Sequence, residues 1–489
     1  MTGMRTPLLL AATLAALATG LTGLPTAAAA QQVTGHAGQW IIDADGRVLL
    51  THGVNMAYKV GSYAPDEIGF DDDDAAFLAA NGFDSVRLGV IWKALEPRPG
   101  VYDDGYLDRL AATTETLARH GILTLVDMHQ DQYNERFEGE GAPDWAVQDD
   151  GLPAEPKLGF GPDYLFMPAL NRAFDHFWAN DPAPDGVGVQ EHYARAWAHV
   201  AARFAHEPGV LGYDLFNEPW PGSVYPLCVN PAGCPVQDRQ LLAAMHTRVR
   251  DAIRGHDPAH LLWYEPFVLF NNGADTSLPS LDPRAGMSFH DYCLWSPTIG
   301  SDTGCDPFDD RVFGNADAHA AGTGDALLLS EFGATDRADE LSHMVARADE
   351  HLVSWMYWAY TGFDPTTSGG DSQSLVIDPR KPPTGDNVKL DKLKLLAIPH
   401  ARAVAGTPLA TGFDAGTFTL TYSTSRADGT GVFGPGARTT VVVPRVQYPH
   451  GYLVRATGAA VTSPPDAPVL TLAALPGAAT VTVTVTPKP

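Results

Sequence analysis

The chain has 489 residues, 45% hydrophobic and 18% charged, enough for two or three domains with sizeable cores. Its 32 basic and 58 acidic residues give a formal net charge of -26. That balance excludes a nucleic-acid partner, whose phosphates it would repel, and electrostatic docking on anionic membranes.

Residues 1–30 read as a secretory signal. Arg5 gives a short positive region, Leu8 to Leu21 an apolar run, and Ala28-Ala29-Ala30 a small-residue cleavage pattern before Gln31. The expected location is therefore secreted and extracellular. No later run reaches the ~20 apolar residues of a membrane span.

From residue 31 to 405 strand-like and helix-like blocks alternate. The apolar runs are Val48–Tyr58, Ser85–Trp92, Ile122–His129, Val210–Phe216, Leu261–Phe267, Met287–Tyr292, Ala326–Glu331 and Val353–Tyr360. Helical spacing follows at Asp74–Ala80, Tyr106–His120, Glu191–Ala205, Arg239–Arg254, Ala338–His351 and Val388–Ala403. Near-continuous apolar strands alternating with helices predict a parallel sheet, and eight of them an α/β fold of the (β/α)8 TIM-barrel type. The linkage between the sixth and seventh runs reads mostly as loop. The acids Asp71 to Asp74 read as a helix start, where negative charge meets the positive end of the dipole.

Between Gln132 and Gln190 lies an insertion too apolar for a solvated loop, with runs at 158–170 and 174–178. Two readings stand: a small satellite core, or an apolar groove lined by residues such as Phe166, Met167 and Phe177. The four cysteines fall in two close pairs, Cys228 with Cys234 and Cys293 with Cys305. Three pairings are open; the two local ones are favoured because each closes a Gly/Pro/Asn-rich loop. Residues 406–489 change character. Short runs with two-residue alternation between Gly and Pro turns predict a C-terminal antiparallel β-sandwich domain. Its last strands are Val/Thr-rich without an aromatic platform, which favours a structural role.

In a (β/α)8 barrel the active site lies at the C-terminal ends of the strands. Here those ends carry Arg87, His129 with Asp131, Asn217-Glu218, Glu265, His290 with Tyr292, Glu331 and Trp358. Glycoside hydrolysis needs two carboxyls flanking the scissile bond. Glu218 and Glu331 are the candidate pair. Glu265 also ends a strand in a Glu-Pro context and differs locally only in lacking the preceding Asn. No metal or cofactor is needed for such a pair.

The order Arg87, His129, Asn217-Glu218-Pro219, His290-Asp-Tyr292, Glu331 and Trp358 resembles glycoside hydrolase family 5, a retaining family of clan A, over about residues 40–400. The resemblance implies that Glu218 is the acid/base and Glu331 the nucleophile. Arg87 and Tyr292 would orient Glu331 and keep it ionised. Asn217 would bind a 2-hydroxyl, His129 and His290 the sugar or Glu218, and Trp358 the sugar ring. Like charge from Glu331 would raise the Glu218 pKa.

Asn55-Met-Ala-Tyr-Lys59, Asp127-Met-His-Gln-Asp131, Asp214-Leu-Phe-Asn-Glu-Pro-Trp220 and the C-terminal sandwich look like the secreted endoglycoceramidases. That resemblance implies cleavage between oligosaccharide and ceramide, with Lys59 and Asp131 on sugar hydroxyls. The implied partners are a glycosphingolipid and, transiently, the membrane or micelle carrying it; the expected state is a monomer. Alternatives are an endogalactosylceramidase, an exo-acting glucosylceramidase or steryl glucosidase, another family 5 β-glycanase, and a non-catalytic glycolipid-binding protein. Ten scattered tryptophans disfavour a long polysaccharide cleft.

Overall fold

The computed structural model describes residues 32–207, 209–293, 304–362 and 370–489. The signal-like residues 1–30 lie outside the described residues. Three strands come first: β1 (Val33–Ala37), β2 (Trp40–Asp43) and β3 (Val48–Leu49). The eight that follow are β4 (His52–Met56), β5 (Ser85–Ile91), β6 (Leu123–His129), β7 (Val210–Asp214), β8 (Leu261–Tyr264), β9 (Ala285–Asp291), β10 (Ala326–Gly333) and β11 (Ser354–Trp358). They pair in sequence order, and β11 closes on β4 to form a barrel of parallel strands. Every residue of these eight strands is buried. That is why they read as continuous apolar runs rather than alternating ones.

The expected helix start at Asp71 is present. Its side chain accepts from the Asp73 N–H, and Asp74 reaches back to the Asp71 N–H, forming a capping box. Two expectations are corrected. The linkage between the sixth and seventh barrel strands carries a helix, Asp306–Thr323, not mostly loop. Its buried stripe (Asp309, Val312, Phe313, Ala316, His319 and Ala320) has helical spacing, but four of these six are Asp, Ala or His, so the apolar signal is weak. The predicted helix Val388–Ala403 is helical only over Leu390–Leu396. Pro399 disfavours helical backbone at Ile398, and the chain continues as strand β12 (His400–Val404).

The remaining strands are β13 (Thr407–Asp414), β14 (Thr417–Ser423), β15 (Arg438–Val442), β16 (Tyr452–Thr457), β17 (Ala459–Val461), β18 (Val469–Ala474) and β19 (Thr480–Pro487). They form the expected antiparallel sandwich, with one sheet ordered β13-β14-β19-β16. The other is ordered β1-β2-β3-β12-β15-β18-β17, so the first strands of the chain complete a sheet built mainly from its last. Val48 of β3 packs in the sandwich core with Leu420, Val441 and Leu472.

This shared sheet closes the bottom of the barrel. Ile41, Leu49 and Ala403 pack in one cluster with the barrel residues Leu125, Leu211, Trp263 and Met356. Trp263 fits because Gly286 faces it; a Cβ there would lie 2.3 Å from the indole ring. The His400 ring on β12 stacks on His52 of β4 at 3.9 Å and bonds Asp84 at 3.0 Å. With the floor filled, access to the barrel is from the opposite, C-terminal mouth. Truncation before residue 400 would strip that floor of β12, β15 and their core. The truncated chain should fail to fold or lose at least about 10 °C in Tm. A truncated barrel with the full-length Tm, measured by calorimetry, would contradict this.

Candidate active site

Arg87 sits on β5, buried inside the barrel and 1% exposed. Its three nitrogens serve six acceptors. Nε donates to Asp214 at 2.8 Å; Nη1 to Asn55 at 3.3 Å and Glu331 at 2.5 Å; Nη2 to Asp127 at 3.0 Å and to Asn217 and Glu265 at 2.9 Å. A planar fork with five N–H groups can span this many acceptors, which a lysine could not.

Glu331 lies on β10 where the register shifts against β9 between Leu329 and Glu331. Such an irregularity re-aims a side chain at a barrel rim. Arg87 donates to one carboxylate oxygen and the Tyr292 hydroxyl to the other at 3.0 Å. Both oxygens are therefore fixed by donors.

Glu218 stands just past β7. The ladder continues beyond the strand through Leu215 N–H to Trp263 O at 2.9 Å and Asn217 N–H to Met128 O at 3.2 Å. Glu218 then turns into the left-handed region with φ of 44°, a conformation that non-glycine residues adopt at a cost. The surroundings hold it there. Glu265 accepts the Glu218 N–H at 2.8 Å, and Gln130 Nε2 donates to the Asn217 and Glu218 carbonyls at 2.8 and 3.1 Å. The side chain takes Asn271 Nδ2 at 2.7 Å and His290 Nδ1 at 2.9 Å, both on Oε1. Oε2 takes neither of these bonds.

Carboxyl oxygens of Glu218 and Glu331 and a ring nitrogen of His290 lie within 4.8 Å of one another. Burial is the main cause that raises the Glu218 pKa, His290 opposes it, and the Glu331 charge adds to it. The like-charge effect is thus present, but desolvation leads. Glu265, the other strand-end acid, is buried beneath Glu218 against Arg87 and 3.3 Å from His290. Burial and Asp214 push it up to about 7 against the pull of His290 and Arg87. Its oxygens brace backbone and guanidinium rather than face the mouth.

The remaining sequence-predicted residues gather beside this pair. Lys59 forms a buried ion pair with Asp131, and its Nζ lies 4.5 Å from the centre of the Trp358 ring. Trp358 stacks on His129 at 5.3 Å with 15° between the planes. His129 Nδ1 bonds Asp127 at 2.7 Å, and its Nε2 lies 3.7 Å from Asp131. Burial alone would lower His129, but Asp127 and Asp131 outweigh it and lift the ring to about 9. Asn217 accepts from Arg87 and donates one amide N–H to the Gln130 carbonyl, which leaves its second N–H for a ligand.

Several residues of the site escape sequence reasoning. Asn271 sits on a 3-10 turn with no motif around it. Gln373 accepts from Trp358 Nε1 at 2.7 Å from a turn beyond the barrel. Glu140, in a hairpin of the insertion, is fully buried 3.4 Å from Lys59 Nζ. Two trios bring metal-type donors within 4.8 Å: Glu218–His290–Glu331, and His129–Asp131–Glu140. The second already encloses a cation, the Lys59 ammonium.

Part of the insertion packs as core and part is exposed. Met167 and Phe177 are fully buried, so the expectation that they line a groove is corrected; they sit in the core with Phe174 and Trp178. Phe166 is 58% exposed, with Leu158, Phe160 and Leu165 also exposed nearby in sequence. This shelf is tied to the mouth. Tyr164 hydroxyl accepts the Gln132 N–H at 2.7 Å, its ring lies 5.0 Å from that of Trp220, and Tyr225 hydroxyl donates to Leu165 O at 2.9 Å. Leu227 and Val229 are also exposed. The two local disulfides, Cys228–Cys234 and Cys293–Cys305, are formed. Among the described residues no helix is long and apolar enough to cross a membrane.

A site of this kind, with one carboxyl raised by burial facing another held by two donors, is equipped for glycosyl transfer to water. Comparison with known proteins agrees. Endoglycoceramidase I of Rhodococcus hoagii is 33% identical over 454 residues, covering 89% of this chain and 85% of its own. Endo-glycoceramidase II from Rhodococcus sp., solved in complex with ganglioside GM3, is 31% identical with a TM-score of 0.77, covering 92% of this chain and 99% of its own. A solved endogalactoceramidase is 25% identical with a TM-score of 0.69, covering 93% and 99%. The Glycoside hydrolase family 5 C-terminal domain matches residues 399–486. The Cellulase (glycosyl hydrolase family 5) model matches residues 42–364, well over half of the chain, which belongs to glycosyl hydrolase family 5.

Proposed function

We propose that this enzyme hydrolyses the β-glycosidic bond between oligosaccharide and ceramide in glycosphingolipids and releases the glycan intact. The observation that carries the reading is an amphipathic mouth for an amphipathic substrate. A polar pocket holding Glu218, Glu331, Lys59 and Asp131 adjoins the exposed apolar shelf of Leu158, Phe160, Leu165 and Phe166. The endoglycoceramidases that resemble the chain over nearly its whole length support it.

The chemistry follows from the geometry. Glu218, its pKa raised by burial, gives its proton to the ceramide oxygen as the glycosidic bond breaks. Glu331, with one oxygen on Arg87 and the other on Tyr292, attacks the anomeric carbon and forms a glycosyl-enzyme. Glu218, now a carboxylate, takes a proton from water, and the water oxygen replaces Glu331. Two inversions give retention, which fits carboxyl oxygens that approach within 4.8 Å rather than the ~6.5–9.5 Å of an inverting pair. His129, Asn217 and His290 contact sugar or Glu218, and Trp358 lies beneath the ring. The protein is exported by its N-terminal signal and acts as a monomer; the two disulfides fit an oxidising compartment.

Lactosylceramide in detergent micelles should give intact lactose and ceramide by mass spectrometry. kcat/KM should fall on the alkaline side as Glu218 loses its proton. Cleavage only of a digalactosylceramide-type lipid would move the reading to the galactose-specific activity. Cleavage only of soluble β-glycosides would overturn the lipid reading and leave the family chemistry.

The shelf gives a sharper expectation. The double variant Phe160→Ser/Phe166→Ser should raise KM for lactosylceramide about thirtyfold, since each side chain withdraws on the order of 1 kcal/mol of apolar contact. The same variant should leave a soluble aryl β-lactoside within about twofold, because that substrate has no lipid to lose. Equal losses on both substrates would contradict the assignment.

A further inference from the structure

Glu140 is a buried ionisable group beside Lys59 and His129 that the mechanism does not use. It lies in Gly139-Glu140-Gly141, and it forms an isolated antiparallel bridge with Asp131 through paired backbone bonds of 3.1 and 2.8 Å. The flanking glycines make this approach feasible. A Cβ at 139 would lie 1.8 Å from the Asp131 carbonyl oxygen, and one at 141 would lie 2.4 Å from the Gln130 side chain. The sequence therefore spends two glycines to press one acid against Asp131.

The acid is an unusual one to bury. It is fully buried, and neither carboxyl oxygen accepts from a donor among the described residues; its side chain meets that of Asp131 instead. Oε1 lies 3.4 Å from Lys59 Nζ and 4.0 Å from His129 Nε2. A structural acid would satisfy its oxygens. This one faces only the groups that the proposed site presents to sugar.

We propose that Glu140 is a positioning residue that acts through Lys59, its protonation deciding whether the Lys59 ammonium stays with Asp131 in the geometry that binds glycan hydroxyls. The inference rests on the reading that Lys59 and Asp131 contact the sugar. With Glu140 neutral, the ammonium keeps its ion pair with Asp131. When Glu140 ionises, two carboxylates on adjacent bridge positions compete for it. They also repel each other, and Asp131 is drawn off the ligand.

The surroundings set where this happens. Burial raises Glu140 most, Lys59 and His129 oppose it, and the Asp131 charge adds to it, which leaves the group at about 8. Lys59 itself is held above its ordinary value, since Asp131 and Glu140 outweigh its burial. The other titratable groups that feel Glu140 are Tyr63 and Tyr164, both pushed up chiefly by burial, so they stay protonated through this range. His129, at about 9, and Glu265, at about 7, also titrate within or at the edge of this range, so the comparison with Glu140→Gln is what assigns the change to Glu140.

The test uses a soluble aryl β-lactoside, which requires only the family chemistry, so a failure on glycolipid leaves it intact. kcat and KM are followed from about pH 6 to about pH 9. If the ionised form does not bind, the wild-type KM rises about tenfold over that range, one unit past the Glu140 value of about 8. Glu140→Gln cannot ionise, so its own ratio of KM at the two pH values should fall below about twofold, while the kcat limb set by Glu218 persists. Lys59→Met should also lose the KM rise, and adding Glu140→Gln to it should change nothing further. A flat wild-type KM overturns the proposal without any variant needing to fold. So does a KM rise that survives in Glu140→Gln or in Lys59→Met.

Discussion

One buried guanidinium organises this site. Arg87 sits where water cannot reach and is encircled by Asp127, Asp214, Glu265 and Glu331, with Asn55 and Asn217 completing the shell. A buried charge is tolerated only when paired and fully bonded, and a buried acid likewise. Arg87 meets both conditions for strands β4, β5, β6, β7, β8 and β10 together. Its position therefore fixes the proposed nucleophile Glu331, the backbone brace Glu265 and the Asn217 amide at once. Glu218 is set one step outward, through the Glu265 bond to its N–H and through His290 and Asn271 on its carboxyl. The result separates two acids by environment. One is held by a cation and a hydroxyl, and the other is raised by burial toward its protonated form.

The rest of the fold serves that arrangement. The barrel floor is filled by Ile41, Leu49 and Ala403 from a sheet that joins the two ends of the chain, so the only wall left open is the one that carries the polar strand ends. Above it the long insertion does two jobs with one stretch of sequence. Met167, Phe174 and Phe177 pack inward and anchor the loop, and Leu158, Phe160 and Phe166 remain outside next to the pocket. A net charge of -26 makes electrostatic capture of an anionic surface unfavourable, so an apolar shelf is the contact such a protein has to offer a lipid.

Much of this was legible in the sequence, for a definite reason. Barrel strands are buried on both faces and therefore read as apolar runs; the polar residues that end them stand out, and all of them converge on one mouth by topology alone. Arg87, Asn217, Glu218, His290 and Glu331 are visible in that way. Asn271, Gln373 and Glu140 are not, because they arrive from loops whose periodicity carries no information about direction. The helix at Asp306–Thr323 was hidden by a buried stripe made largely of Ala, Asp and His. The strand at His400–Val404 was hidden by apolar spacing that a helix shares, although Pro399 was the signal against it. Met167 and Phe166 are neighbours of similar hydrophobicity with opposite fates, and only the three-dimensional path of the insertion separates them.

The claim on which everything else hangs is that Glu331, held by Arg87 and Tyr292, is the atom source that bonds to sugar. The direct measurement is to incubate the protein with a 2-deoxy-2-fluoro-lactosyl fluoride, which slows turnover of a glycosyl-enzyme, and to map the labelled peptide by mass spectrometry. The account predicts a single 2-fluoro-lactosyl adduct on the peptide carrying Glu331. An adduct on Glu218 or Glu265 would contradict it.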